Sequence, residues 1–318
     1  MKLAACLPLL AVALLAAALP ASAQPVPYPH KLVTLVTHSS PGGGSDVFLR
    51  EMVKVLPRYI DATFIVDNVQ GGSGARAMSK MATAKPDGAL LYAITPTYVY
   101  TSLLSKIPHG YKDLEPLVIV FADAEVLYTR ANGPYQTLKD VVERARTARG
   151  RWGVASPASL ERQVAERLKR AACVNAAIVS HDGGGDMMIN VLNGTLDAGV
   201  GEIQELRSQI EGKKVRLLGT FNGARLPSVP ELATVKEQGF DVVAEKFRGL
   251  AGPKGLSAEI AAAWEVAVPR MLADPAYRKT YEGESLVPDF RGRTAAGKLV
   301  AEFGAASEAF LKETGAIK

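Results

Sequence analysis

The stretch Ser39-Ser40-Pro41-Gly42-Gly43-Gly44-Ser45-Asp46 follows a short apolar run, Leu32–Thr37, and leads into a run of helical spacing, Val47–Leu56. A second stretch, Ser180-His181-Asp182-Gly183-Gly184-Gly185-Asp186, repeats this arrangement between Ala176–Val179 and Met187–Leu192. Each reads as strand, glycine turn and helix start. A helix start carries unpaired N–H groups and the positive end of the peptide dipole, so it suits an anion. Two such units in one chain can hold one anionic ligand from opposite sides.

Outward from these turns the pattern alternates strand and helix. Thr63–Asp67, Ala89–Ile94, Leu117–Phe121 and Glu125–Thr129 read as strands, with a helix at Ala75–Ala84 after Gly71-Gly72-Ser73-Gly74. A second half begins near Asp123. There Thr137 caps a helix that runs to about Arg149, and helices follow at Leu160–Ala172 and Glu205–Glu211. Strands are expected at Trp152–Ala155, Ala198–Val200 and Val215–Thr220. Past the loop Leu226-Pro227-Ser228-Val229-Pro230 the spacing predicts helices at Glu231–Gln238, Ser257–Ala273, Ala276–Glu282 and Thr294–Lys312, with Phe240–Ala244 extended. The last helices are expected to return to the first domain. This alternation argues an α/β fold with mostly parallel sheets. No low-complexity linker divides the chain, so two domains require it to cross between them more than once.

The N-terminus points to export. Lys2 precedes an apolar run, Leu3–Leu19, which closes on Ala21-Ser22-Ala23, a small-residue cleavage pattern. Residues 1–23 are read as a signal peptide cleaved after Ala23. The remaining chain is long enough for one large core or two smaller ones. Cys6 lies in the signal, so Cys173 has no partner for an internal disulfide; its apolar neighbours suggest a buried small hydrophobe. The net charge of +5 is spread along the chain without a basic block, which argues against nucleic acid and is compatible with anionic small molecules.

Several further segments keep a family order. They are Asp67-Asn68-Val69-Gln70-Gly71-Gly72-Ser73-Gly74, Ala84-Lys85-Pro86-Asp87-Gly88, Leu192-Asn193-Gly194-Thr195-Leu196-Asp197, Leu226-Pro227-Ser228-Val229-Pro230-Glu231-Leu232 and Phe247-Arg248-Gly249-Leu250-Ala251-Gly252-Pro253. With Pro41–Asp46, the ordered set resembles the periplasmic solute-binding proteins of tripartite tricarboxylate transporters, the Bug or TctC-type receptors. The resemblance covers essentially the whole chain after residue 27. It implies a two-domain periplasmic-binding-protein fold of type 2, a flytrap with a ligand cleft between its domains. Domain 1 would comprise residues 24–123 and 225–318, and domain 2 residues 124–224. It also implies a small organic carboxylate as ligand, water-bridged in part, a membrane permease as partner, a periplasmic location and no cofactor. The protein is expected to act as a monomer. The chain departs from the family at the second turn, which usually reads Tyr-Lys-Gly-Gly; Ser180-His181-Asp182-Gly183-Gly184 replaces a cation with an acid. Ser39 and Ser40 likewise stand where Pro or Ala is usual.

Candidate ligand contacts follow from strand ends and helix starts, where α/β folds bind ligands. In the first domain they are Ser39, Ser40, Gly43, Gly44, Ser45, Thr95 and Thr97. Asp46, in a first helical turn, reads as structural. In the second domain they are Ser156, Ser159, His181, Gly183, Gly184 and Glu202, whose carboxylate would suit a ligand amine or hydroxyl. Arg162 is the candidate cationic clamp if it points inward, because its fork is bidentate; Arg248, near the expected hinge, is the second cation.

No catalytic motif accompanies these residues. There is no Gly-x-Ser-x-Gly elbow, no His-Glu-x-x-His and no Cys-x-x-Cys, and the four histidines lack metal-ligand spacing. Neither turn continues into Lys-Ser/Thr, which excludes a P-loop. The expectation is a binding protein without catalytic or metal residues. Two alternatives are a ligand-sensing receptor subunit that signals to a membrane partner, and an exported enzyme acting on anionic substrates.

Overall fold

A computed structural model describes residues 24–181 and 183–318; the expected signal peptide and Asp182 lie outside the described residues. The chain first lays down β1 (Leu32–Thr37), α1 (Gly44–Val55), β2 (Thr63–Asn68), α2 (Ala75–Ala82), β3 (Leu90–Ile94), α3 (Pro96–Leu104) and β4 (Leu114–Asp123). It then crosses at Ala124 into β5 (Glu125–Arg130), α4 (Leu138–Thr147), β6 (Gly150–Val154), α5 (Leu160–Ala171), β7 (Ala176–Ser180), α6 (Gly184–Leu192), β8 (Ala198–Glu202), α7 (Ile203–Glu211) and β9 (Val215–Thr220). It returns through β10 (Lys246–Pro253), α8 (Ala258–Leu272), α9 (Pro275–Gly283), β11 (Val287–Arg291) and α10 (Arg293–Glu313).

Two sheets result. One is six-stranded, in the order β11-β4-β10-β3-β1-β2; the other is five-stranded, β7-β6-β8-β5-β9. Strand–helix–strand units run parallel, β1 with β2 and β3, and β6 with β7 and β8. The expectation of mostly parallel sheets needs correction at the crossings. β10 is antiparallel to β3 and β4, β11 to β4, and β5 to β8 and β9. The cause is topological: β4 leaves the first sheet where β10 re-enters it, so the two run opposite ways, with Lys246 paired to Asp123.

Each sheet is covered by its own helices. α1 turns Phe48, Leu49, Met52 and Val55 inward, and Phe48 meets Phe121 of β4 edge-on at 6.1 Å. Trp264 of α8 is wholly buried and packs edge-on to Phe64 and Tyr28 at 5.9 and 6.4 Å. The second core is built around Trp152 with Val164, Leu168 and Val200. Burying an apolar side chain of this size contributes roughly 1.5–3 kcal/mol, so both cores rest on packing.

The structure adds one helix and changes three local readings. Pro96–Leu104 is a helix, α3, with Thr95 as N-cap and Pro96 in its first turn. Glu231–Gln238 is not one. There Thr234 pairs with Thr220, and its backbone N–H goes to the Glu237 carboxylate at 2.7 Å, so local bonds and a bridge displace the helical ladder. Val235, Val242 and Ala244 pack in the second core. α10 begins against the first sheet through Ala296 and Val300, yet its Leu311 lies in the second core, so it braces both halves. Cys173 is exposed, not buried: it sits just past α5 at φ +51°, where the left-handed chain end turns the side chain out.

Candidate functional site

Six helix starts face one cleft of about 300 Å³ between the sheets. From the first half come the starts of α1, α2 and α3, represented in the wall by Ser45, Gly74, Thr95 and Thr97. From the second half come those of α5, α6 and α7, represented by Ser156, Ser159, Gly183, Gly184, Glu202 and Glu205. This convergence follows from the strand order: each helix begins at the carboxyl end of a strand, and both sheets turn those ends toward the cleft.

The first glycine turn is locked locally. Gly43 is the N-cap of α1, and the Asp46 carboxylate accepts bonds from the Gly42 N–H at 2.8 Å, Arg50 Nε at 2.8 Å and Asn68 Nδ2 at 2.9 Å. Burial alone would raise the Asp46 pKa; these bonds outweigh it and hold the group below its ordinary value. Across the cleft, Gly44 donates its N–H to Glu205 Oε1 at 2.5 Å. A Cβ on Gly184 would fall 2.7 Å from the Glu205 carboxyl carbon. Ser40 does not line the cleft; its side chain abuts Gly183, so the two glycine turns touch. Burial pushes the Glu205 pKa up to about 7, opposed by the Gly44 N–H.

In the cleft wall and just behind it lies a charge cluster where the two crossings meet. Lys246 Nζ bonds Glu125 at 2.7 Å, approaches Glu161 at 3.4 Å and contacts Glu202 closely. The three carboxylates are close enough together to hold a metal ion, but the Lys246 ammonium fills that position. Burial raises Glu125 to about 8 despite Lys246. For Glu161, burial also acts upward, but Lys246 and Ser159 outweigh it and keep the group below its ordinary value. Lys246, penalised by burial, is held above its ordinary value by Glu125 and Glu161.

Of the expected contacts, Ser39, Ser45, Thr95, Thr97, Ser156, Ser159, His181, Gly183, Gly184 and Glu202 line the cleft. Ser159 caps α5, accepting from the Arg162 N–H at 3.3 Å, whereas the buried Ser156 hydroxyl has no hydrogen-bond partner. Gly43 and Gly44 lie behind the wall, acting through backbone geometry. Both expected cations are elsewhere. Arg162 reaches Ser180 at 3.1 Å and Glu166 at 3.3 Å on the outer side of α5, because its register turns it away from the cleft. Arg248 is wholly buried behind the wall, bonded to Asp123 at 2.6 Å and Ser45 at 3.2 Å, with Nη2 only 3.3 Å from Glu202. It joins β10 to the end of β4, a hinge fastening and not a clamp.

The sequence reading missed Glu161, Glu205, Lys246, His38 and Arg76, all in the wall. The two glutamates follow helix starts by a single turn, a position that reads equally well as a solvated face. His38 pairs with Tyr92 at 2.8 Å, and burial pulls its pKa down to about 4, so it is neutral. Arg76 is exposed at the rim, in the first turn of α2.

Residues 48–315 match the model of the tripartite tricarboxylate transporter family receptor. A Cupriavidus necator protein, described as a UPF0065 protein in the gbd 5′ region, is 25% identical over 307 residues, 95% of this chain and 93% of that one. Among solved structures, an R. palustris protein with adipate superposes with TM-score 0.84 at 22% identity, covering 90% of this chain and 98% of its own. MatC from Rhodopseudomonas palustris, with bound malate, gives 0.79 at 21% identity, covering 90% and 99%. These likenesses bear out the α/β two-domain binding-protein fold. The chain belongs to the tripartite tricarboxylate transporter family of receptors.

Proposed function

We propose that this protein captures a small organic carboxylate in the cleft, closes its two halves upon it, and delivers it to a membrane permease of the tripartite tricarboxylate type. The observation that carries this reading is the meeting of six helix starts, three from each half, around one cavity of about 300 Å³. A carboxylate there meets backbone donors and hydroxyls from both halves at once, including Thr95, Thr97 and the unpartnered Ser156 hydroxyl. That contact set exists only when the halves are together, so binding favours the closed form. The ligands named for the adipate-bound and malate-bound relatives support the carboxylate class.

The protein is proposed to work as a monomer in the periplasm after cleavage following Ala23. No helix among the described residues is long and apolar enough to cross a membrane. The test is thermal unfolding of the chain from Gln24 onward against di-, tri- and aromatic carboxylates. Ligand at about 100 times its dissociation constant adds roughly 2.7 kcal/mol, which lifts the midpoint by several degrees. A selective rise supports the reading; turnover of the added acid, or no rise with any solute, overturns it.

A further inference from the structure

The place between the two glycine-turn helix starts, where an anionic ligand would be expected, is taken by a side chain of the protein itself. Glu205 stands in the first turn of α7, on the second half. Its Oε1 accepts the N–H of Gly44 at the start of α1 on the first half, and its carboxyl group lies against Gly184 at the start of α6. Nearby, Glu161 is 5% exposed, lines the same cleft, and leaves its Oε2 without a hydrogen-bond partner.

Two cations near these acids are buried with carboxylates, and a third, Arg76, is exposed at the rim. Lys246 is shared among three carboxylates, and Arg248 is bonded to Asp123. Glu161, Glu202 and Glu205 line the cleft and Glu125 and Asp123 lie behind it, against the buried Lys246 and Arg248 and the rim Arg76. Burial pushes Glu205 up to about 7, so a ligand carboxylate beside it either meets like charge in a water-poor space or requires Glu205 to hold a proton, whereas a cation there favours its ionised form. An ammonium group placed there supplies the donors that the free Glu161 oxygen lacks and offsets the surplus.

We infer that Glu205 is the charge-selecting residue of this receptor: the preferred ligand carries a protonated amine beside its carboxylate, and the amine faces Glu205 and Glu161. This rests on the receptor reading above and narrows it. The carboxylate end remains for the hydroxyl-lined starts of α3 and α5, while Glu205 screens what enters between α1 and α6.

The experiment uses matched chains that differ only in their end groups. One set is adipate, ε-aminocaproate and hexamethylenediamine; a shorter set is succinate, γ-aminobutyrate and putrescine. Binding is measured by calorimetry near neutral pH for the wild-type chain, Glu205→Gln and Glu205→Ala. The amino acid in one set should bind wild type at least about tenfold tighter than its diacid, and both variants should shrink or invert that ratio. Glutamine keeps the acceptor for Gly44, so loss of discrimination in Glu205→Gln with unchanged thermal stability separates selection from folding. A diacid that binds wild type as tightly as its amino-acid partner, or a ratio unchanged in both variants, overturns the inference and leaves the receptor reading intact. A diamine that binds best overturns the requirement for a carboxylate. Binding of none of these compounds, nor of any acid in the panel above, overturns both.

Discussion

The two glycine turns look like copies in the sequence and behave differently in the structure. The first is closed on itself: Asp46 ties Gly42, Arg50 and Asn68 together, and Glu205 takes the Gly44 N–H. The second carries an acid in the same first-turn position, Asp186, but that side chain is exposed and α6 has no side-chain cap at Gly183. One turn is tied by a side chain of its own helix; the other lacks such a tie and meets its neighbours, Ser40 and Glu205, only from outside. The same local motif thus takes its role from what approaches it from far along the chain.

The sharpest way to break this comparison is at the glycines. A Cβ on Gly44 would fall 2.5 Å from Arg248 Nη2 and against Glu202. Gly44→Ala should cost about 1–3 kcal/mol through overpacking of a buried charged network, read as a lowered midpoint in denaturant. Next come the paired acids. Asp46→Ala should cost about 1–2 kcal/mol by leaving the Gly42 N–H and the Asn68 amide without their acceptor, whereas Asp186→Ala should leave the denaturant midpoint nearly unmoved. Equal losses from the two would erase the distinction between the tied turn and the untied one.

A third prediction concerns pH. Burial pushes Glu125, Glu205 and Glu284 up to about 8, 7 and 7 from ordinary values near 4.5. Below about pH 4.5 these groups are protonated in both states. Between there and about pH 8 the unfolded chain sheds their protons first, so the folded state binds more of them and stability falls as pH rises. On the acid side Asp46, Glu161 and Asp274 lie below their ordinary values, so stability also falls as they are protonated. Thermal unfolding scanned across pH should therefore peak near the low end of this window, and Glu205→Gln should flatten the decline between about pH 4.5 and 7. A wild-type midpoint that climbs steadily to pH 8 would contradict it.

The smallest effect is expected at Gly185, in the second turn. Nothing lies within 4 Å of a Cβ there. Gly185→Ala should stabilise by up to about 1 kcal/mol through helix propensity, visible as a slightly raised midpoint.

Much of the architecture was legible because its signals are local. Leu32–Thr37 and Ala176–Val179 announce their strands, and the glycine triplets announce the helix starts behind them. β10 was hidden because all eight of its residues are buried, so no alternation marks it. β11 was hidden by Pro288 and by its position at the sheet edge. α3 carries Tyr98, Val99, Tyr100 and Thr101, residues that favour strands, yet Thr95 followed by Pro96 was a usable start signal. The site divides in the same way. Serines and threonines at helix starts were found because strand ends locate them. Arg162 and Arg248 were misplaced because a cation's direction depends on register and on partners such as Asp123, more than a hundred positions away. Glu205 escaped notice because its role exists only opposite Gly44, which the fold brings to it from the other half.

The outward-turned Cys173 has a practical consequence. In a chain beginning at Gln24 it is the sole thiol, fixed just beyond the far end of α5, whose opposite end walls the cleft. A fluorophore or spin label attached there rides on a rigid rod anchored to the second half. It offers a reporter, without any engineered residue, for the proposed closure of the two halves.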